Sequence, residues 1–197
     1  MLRHLSSLLV LCLLVATSGA GQARLPYALS AEDRQLVSLV LNSQERRWSN
    51  GSTVLLDSTR SLCETSVPDC VTPVDDLIKL APRISPECVR LATEIRILRA
   101  AFLNRNVRTW ELGELETNLV TVPGLEVRGM STDTLVKRFP GKEYVEVTAP
   151  GYTSDGRFAL VYVIGFGVLP GGWQSIQVLE RNGAAWAPTG CGLNITA

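Results

Sequence analysis

Clustered carboxylates are the residues of this chain whose type and spacing come nearest to chemistry: Asp75 beside Asp76, Glu114 near Glu116, and Glu143 near Glu146. Two carboxyl groups facing each other across a cleft can divide acid and base roles in glycoside hydrolysis. Neighbours along one segment do not face each other in that way, and ionised acids mostly sit on solvated surface. Arg90, Arg96, Arg99, Arg105 and Arg108 crowd a second region. Guanidinium groups gathered on one face would hold an anion. Distributed around a helix they are solvated charge with local pairing to Glu94, and the sequence favours that reading.

Other chemistries fail on residue type. His4 is the one histidine of the chain and lies in the leader described below. A body without imidazole excludes serine and cysteine hydrolases built on a histidine base, and the usual histidine zinc sites. Gly165-Phe166-Gly167-Val168-Leu169-Pro170 begins like a dinucleotide fingerprint, but proline stands where the third glycine belongs and a strand follows. That segment reads as a glycine-rich hairpin loop, and Gly165, Gly167, Gly171, Gly172 and Trp173 form the candidate contact loop. No phosphate loop with its lysine is present, and no cofactor or metal is expected. Asn50-Gly51-Ser52 and Asn194-Ile195-Thr196 match the N-glycosylation acceptor pattern, which matters only in a eukaryotic secretory pathway.

The compartment is the firmest expectation. Arg3 and His4 precede an apolar run from Leu8 to Ala16, and Ser18-Gly19-Ala20 supplies the small-x-small pattern of a signal peptidase site. The run is shorter than the roughly 20 apolar residues that cross a bilayer. Residues 1–20 therefore read as a cleaved signal peptide, leaving no transmembrane anchor and a secreted or periplasmic body from 21 to 197. Losing Arg3 leaves one fewer basic side chain than the 19 acidic ones, so nothing points to nucleic acid. The partner is unknown; a protein or a cell-envelope component fits an exported body.

Cys63, Cys70, Cys88 and Cys191 remain after cleavage. They have no Cys-x-x-Cys spacing, and in an oxidising compartment they read as structural disulfides with three possible pairings. Cys63 with Cys70 and Cys88 with Cys191 is the preferred one, the second tying the C-terminal strand to the central helix.

The elements that must carry these residues follow from periodicity. Ser30 caps a helix running to about Arg47, with Leu36, Val37, Val40 and Leu41 as its buried stripe. Thr53 to Asp57 is a short strand. Pro73 opens a short helix that Pro82 ends, and Pro86 opens a longer one to about Asn104 with Leu91, Ile95, Leu98 and Phe102 in a row. Strands follow at Leu119–Val122, Tyr144–Thr148, Phe158–Ile164 and Gln174–Glu180, and Asn182-Gly183 turns the chain into a last strand around Trp186. Phe158–Ile164 is apolar on both faces, the mark of a covered central strand. The expected fold is α+β and a single domain, with a helical part over about 30–104 packed on one face of an antiparallel β-meander over about 117–190.

Phe139 to Trp186 resembles a segment of small exported bacterial proteins of unknown function. The resemblance rests on Pro150-Gly151-Tyr152, Asp155-Gly156, Ala159-Leu160-Val161-Tyr162-Val163, the Gly165 to Gly172 loop, Leu179-Glu180-Arg181-Asn182-Gly183 and Trp186. It covers about a quarter of the chain and implies export and an antiparallel sheet, with no activity or site residue. The loop here carries Val168-Leu169-Pro170 without the cysteine that some of those proteins have, so no loop disulfide is implied. Together these readings give an exported, non-catalytic binding or envelope-associated module, with a carboxylate-dependent hydrolase of envelope or extracellular polymers as the alternative. A periplasmic redox or chaperone accessory is a third reading and would require a labile, exposed disulfide.

Overall fold

The structure is a computed structural model and describes residues 27–44, 53–62, 72–124, 134, 137, 140–166 and 172–196. The leader, the Asn50 acceptor, Cys63, Cys70, Gly167 and Gly171 lie outside the described residues.

Helix α1 (Ala31–Ser43) begins where its cap predicts. The Asp33 backbone N–H donates to Ser30 Oγ, and the Asp33 carboxylate accepts from the Ser30 N–H, a reciprocal capping box. It stops at Ser43, short of the expected Arg47. Asn42 and Ser43 are poor helix formers, and the Ser43 hydroxyl donates to the Val40 carbonyl, competing with the next helical bond.

Helix α2 (Pro73–Ile84) outlasts Pro82. In the last turn a proline forfeits a single backbone bond, and the stop comes at Ser85, which is held extended by the proline that follows it. The expected single helix from Pro86 is two, α3 (Pro86–Arg90) and α4 (Ala92–Arg105), separated by Leu91. Bonds from the Leu91 N–H to the Glu87 carbonyl and from the Ile95 N–H to the Leu91 carbonyl keep the two segments joined.

Among the described residues the sheet has seven strands. β1 (Thr53–Leu56), β2 (Val120–Val122), β3 (Glu143–Val147), β5 (Phe158–Phe166), β6 (Trp173–Asn182) and β7 (Ala185–Thr196) lie in the order β2-β1-β3-β5-β6-β7, and the short β4 (Gly151–Tyr152) pairs with β5. Strands β3, β5, β6 and β7 form the antiparallel meander that the pattern predicts. β2 is not part of it. β1 inserts between β2 and β3 and is parallel to both, which makes the sheet mixed. The long helical crossover from β1 to β2 provides the connection that parallel pairing needs. The β6–β7 turn sits one residue beyond Asn182-Gly183: Asn182 pairs with Ala185, so Gly183 and Ala184 are central, and Gly183 has φ of 62°.

Helices cover both faces of the sheet, where the two-sided burial of Phe158–Ile164 was expected but the helices were expected on one face. β5 explains this by alternation: Phe158, Leu160 and Tyr162 enter a core with α2, α3 and α4, while Ala159, Val161 and Val163 enter a second core with α1. Its side chains from Phe158 to Val163 are all buried, and fully burying a large apolar side chain contributes about 1.5–3 kcal/mol. The architecture is α+β, with the helices in the N-terminal half and the antiparallel strands in the C-terminal half.

Cys88 of α3 and Cys191 of β7 are joined by a disulfide across 103 residues of sequence, the long half of the preferred pairing. Both cysteines are buried in the α2–α4 core. Replacing both, Cys88→Ala with Cys191→Ala, should lower the unfolding free energy by about 4–5 kcal/mol, the chain-entropy value for a loop of about a hundred residues. Urea denaturation measures it, and a change below about 1 kcal/mol would mean the reduced unfolded chain is already compact.

Candidate functional site

A dense polar cluster gathers around Asp33, at the third position of α1 and almost fully buried. Its carboxylate accepts from the Ser30 N–H at 2.9 Å, the Ser30 hydroxyl at 2.7 Å, Arg105 Nη2 at 2.5 Å and the Tyr152 hydroxyl at 2.7 Å. α4 positions Arg105 as its last residue, and β4 positions Tyr152. Gly151 allows this approach: a Cβ there would lie 2.5 Å from the Phe102 Cα, so β4 can touch the α4 backbone only with glycine at that site.

Arginines and tilted aromatic rings extend the cluster outward in a chain of contacts. Arg105 lies 5.0 Å from the Trp110 ring and 5.5 Å from the Tyr152 ring. Tyr152 meets Trp186 at 5.9 Å, and Arg181 lies 4.9 Å over Trp186. On the other side Tyr27 meets Trp110 at 5.4 Å and carries Arg108 at 4.6 Å. Trp110 Nε1 donates to the Arg105 carbonyl and Trp186 Nε1 to Glu32, which also pairs with Arg181. Each cation–ring contact contributes about 0.5–1 kcal/mol where exposed and more where desolvated.

A carboxylate, an arginine, a tyrosine and a serine in contact have the composition of a catalytic site, but saturation decides otherwise. A carboxylate offers about four acceptor positions, and Asp33 receives four donors, three at Oδ2 and the Tyr152 hydroxyl at Oδ1. Burial, then the hydrogen bond to Asp33 and its charge, raise the Tyr152 phenol well above the ordinary tyrosine value. A phenol held protonated is a poor proton shuttle near neutral pH. The cluster is a structural lock joining α1, α4 and β4.

The carboxylates singled out in sequence are committed in a similar way. Asp75 takes Arg99 Nε at 2.5 Å and Nη2 at 3.3 Å, and the Thr72 N–H at 2.8 Å. Burial alone would raise its carboxyl; the hydrogen bonds from Arg99 and Thr72 and the Arg99 charge outweigh burial and hold it below the ordinary value of 3.8. Asp76 pairs with Lys79 one turn on. Glu146 is buried and accepts from Arg60 at 2.9 Å. Glu143 accepts from Trp173 Nε1 at 2.5 Å and from the Thr53 hydroxyl at 3.2 Å. The arginines part company too. Arg99 goes to Asp75, Arg105 to Asp33, Arg108 to Tyr27, and Arg90 to Glu180, which Arg157 shares. None of the ion pairs described involves Glu94, so pairing along the helix gives way to pairing across elements.

The candidate contact loop is anchored at both described ends. Gly165 pairs with Trp173 across β5 and β6, and a Cβ on Gly165 would lie 2.0 Å from Trp173 Nε1. Trp173 is half-buried against the α1 core, with its N–H on Glu143. A Cβ on Gly172 would lie 2.7 Å from the Gly165 carbonyl oxygen. The following element is strand β6, as the rejection of a dinucleotide fingerprint requires.

An open groove of about 1010 Å³ runs along the first turns of α1, lined by Glu32, Arg34, Gln35, Glu114, Glu116 and Arg181 among others. The segment from Glu114 to Glu116 lines it beside the helix. Gly113 has φ of 69° and passes close over Arg34; Ser38 Oγ accepts from the Glu116 N–H at 3.0 Å and Asn42 donates to the Glu116 carbonyl at 2.9 Å. Glu32, Arg181, Tyr152 and Trp186 were not among the candidate site residues, although the last three lie in the segment that carries the resemblance. Glu32 and Asp33 follow Ser30 as acids in the first turn of a capped helix, a local pattern that says nothing of partners 72 to 154 positions away.

Among the described residues no group of three or more histidine, cysteine, aspartate or glutamate side chains could hold a metal ion. Among them, too, no helix is long and apolar enough to cross a membrane. Comparison with family models, with curated proteins and with solved structures gives no match.

Breaking the lock should be expensive. Arg105→Ala strands the buried Asp33 charge and should lower the unfolding free energy by about 3–5 kcal/mol, read by urea denaturation; a loss below about 1 kcal/mol would mean that the pair is screened by solvent. Asp75 has a depressed folded pKa, so its contribution is present above the unfolded value and is lost as pH falls through the folded one. The stability gap between the native chain and Asp75→Asn should therefore be widest near neutral pH and close as the pH drops below 3.8. Denaturant midpoints along a pH series check this; a gap independent of pH would refute it.

Proposed function

We propose that the mature chain is an exported, non-catalytic binding module that holds a polar partner in the groove beside α1. The observation that carries this reading is a contrast. The carboxylate of Asp33 and the phenol of Tyr152 are committed to internal partners, whereas the groove presents side chains of both signs to solvent. Export is supported by the leader pattern of residues 1–20 and by the buried disulfide, which belongs to an oxidising compartment. A cell-envelope component or an extracellular protein is the partner class that fits such a location.

A hydrolase acting on envelope or extracellular polymers is the second reading, because Glu32, Glu114 and Glu116 line one groove. Its weakness is geometric. Glu32 is held by Arg181 and Trp186, and Glu114 and Glu116 stand on one segment of one wall. A carboxylate pair for glycoside cleavage must flank the bond from opposite sides.

The mature protein isolated from its source should begin at Gly21, and it should be retained by the envelope fraction of that source. Glu114→Lys with Glu116→Lys should weaken retention about tenfold or more while leaving the melting temperature unchanged, since both side chains are exposed. Substrate turnover that disappears in Glu114→Gln or Glu116→Gln would replace binding with the hydrolase reading.

A further inference from the structure

The last strand offers a second interaction surface, independent of the groove. Among the described residues β7 is the edge strand opposite the short β2, and it is 12 residues long. Long edges invite pairing with other chains, and proteins blunt them with charge, proline or bulges. From Ala185 to Thr196 there is no charged side chain at all.

The blunting that exists is confined to the first half. Pro188 removes a donor, Gly190 turns through φ of 80°, and the β6–β7 register shifts between Gln177 and Leu179. Beyond them Gly192 to Thr196 pair in regular register with Gln177 to Trp173. The described backbone hydrogen bonds of this half run to β6, so its outward row of amides and carbonyls faces away from the sheet. Cys191 pins the half at its start through the disulfide to α3, and Leu193 packs on the α2–α4 core. A covalently anchored strand end has less freedom to lose on binding.

We infer that Gly192–Thr196 is a template for strand addition, taking an extended segment of another polypeptide as an eighth strand beside β7. Alternation fixes the chemistry of that segment. Leu193 and Ile195 share the face that carries the α2–α4 core, whereas Asn194 and Thr196 lie on the other face and are exposed. The segment should therefore alternate apolar and uncharged polar side chains, with backbone bonds giving affinity and the Leu193–Ile195 side giving selectivity. A second copy of the chain fits less well. The regular half of the edge spans only about 17 Å at a strand's rise per residue, whereas stable interfaces use roughly 20–30 residues a side.

The test uses the mature, oxidised protein and a set of acetylated, amidated hexapeptides in which valine, isoleucine, leucine or phenylalanine alternates with threonine. Hydrogen exchange followed by NMR should show protection gained within Gly192–Thr196 at millimolar peptide. Ile195→Lys, or Asn194→Lys should the first variant fold poorly, should weaken the best peptide about tenfold or more, as edge charge does. Ala185→Lys, in the blunted half, should leave affinity unchanged. Exchange at 192–196 that no peptide alters, or affinity indifferent to both edge lysines, overturns the inference. Protection that appears without peptide and grows with protein concentration assigns the edge to a second copy and overturns it as well. Neither result bears on the groove, which the Glu114 and Glu116 variants probe separately.

Discussion

Water is excluded from both sides of β5, and the arrangement of the other elements follows from that exclusion. A strand apolar on both faces cannot lie at the surface of a one-layer sheet. It needs strands on each side and helices above and below. β3 and β6 supply the first, and α1 with the α2–α4 group supplies the second. The two cores are therefore consequences of one alternating segment, Phe158 to Val163, in which consecutive residues belong to different layers.

The layers have to be held in register, and polar contacts do this at the edges of the cores. Asp33 ties the start of α1 to the end of α4 and to β4, passing around the rim of the sheet. Arg99 and Asp75 tie α4 to α2, and Arg60 reaches β3 through Glu146. Most of these charges lie on separate elements, so each pair acts as a staple between parts that apolar packing alone would let slide. The same commitment competes with chemistry: a buried carboxylate that already accepts from an arginine and other donors holds its charge and is a weak base for a substrate proton. Structural and catalytic use of the same group conflict here, and structure wins.

Local patterns in the sequence reveal burial better than neighbourhood. The stripe of α1, the two-sided burial of β5, the β6–β7 hairpin and the bond between Cys88 and Cys191 are all legible, because each depends on spacing along one segment or on a small number of possible pairings. The insertion of β1 between β2 and β3 is not. Thr53 to Leu56 is a short apolar run, and such a run says that it is covered without saying by which strand. Division of the helices between two faces is hidden for a related reason, since it depends on where a crossover lands. Asp33 is a milder case. Its cap role is local and readable, but Arg105 and Tyr152 reach it only once α4 and β4 are in place. The arginine region misleads by the same logic, because helical spacing suggests a partner on the same helix and the fold supplies better ones elsewhere.

The bond between Cys88 and Cys191 also divides the molecule topologically. It makes the segment between them a covalent ring that contains α4 and β2 to β6, while α1, β1 and α2 lie outside it. A protease that cut one loop inside the ring would leave the two pieces fastened together. Tension along the backbone would meet the sulfur bridge and bypass the ring, sparing about 340 Å of contour that an uncrosslinked chain of 103 residues would release. The antiparallel strands at the centre of the sheet are thereby sheltered from stretching, and the helices outside the ring yield first.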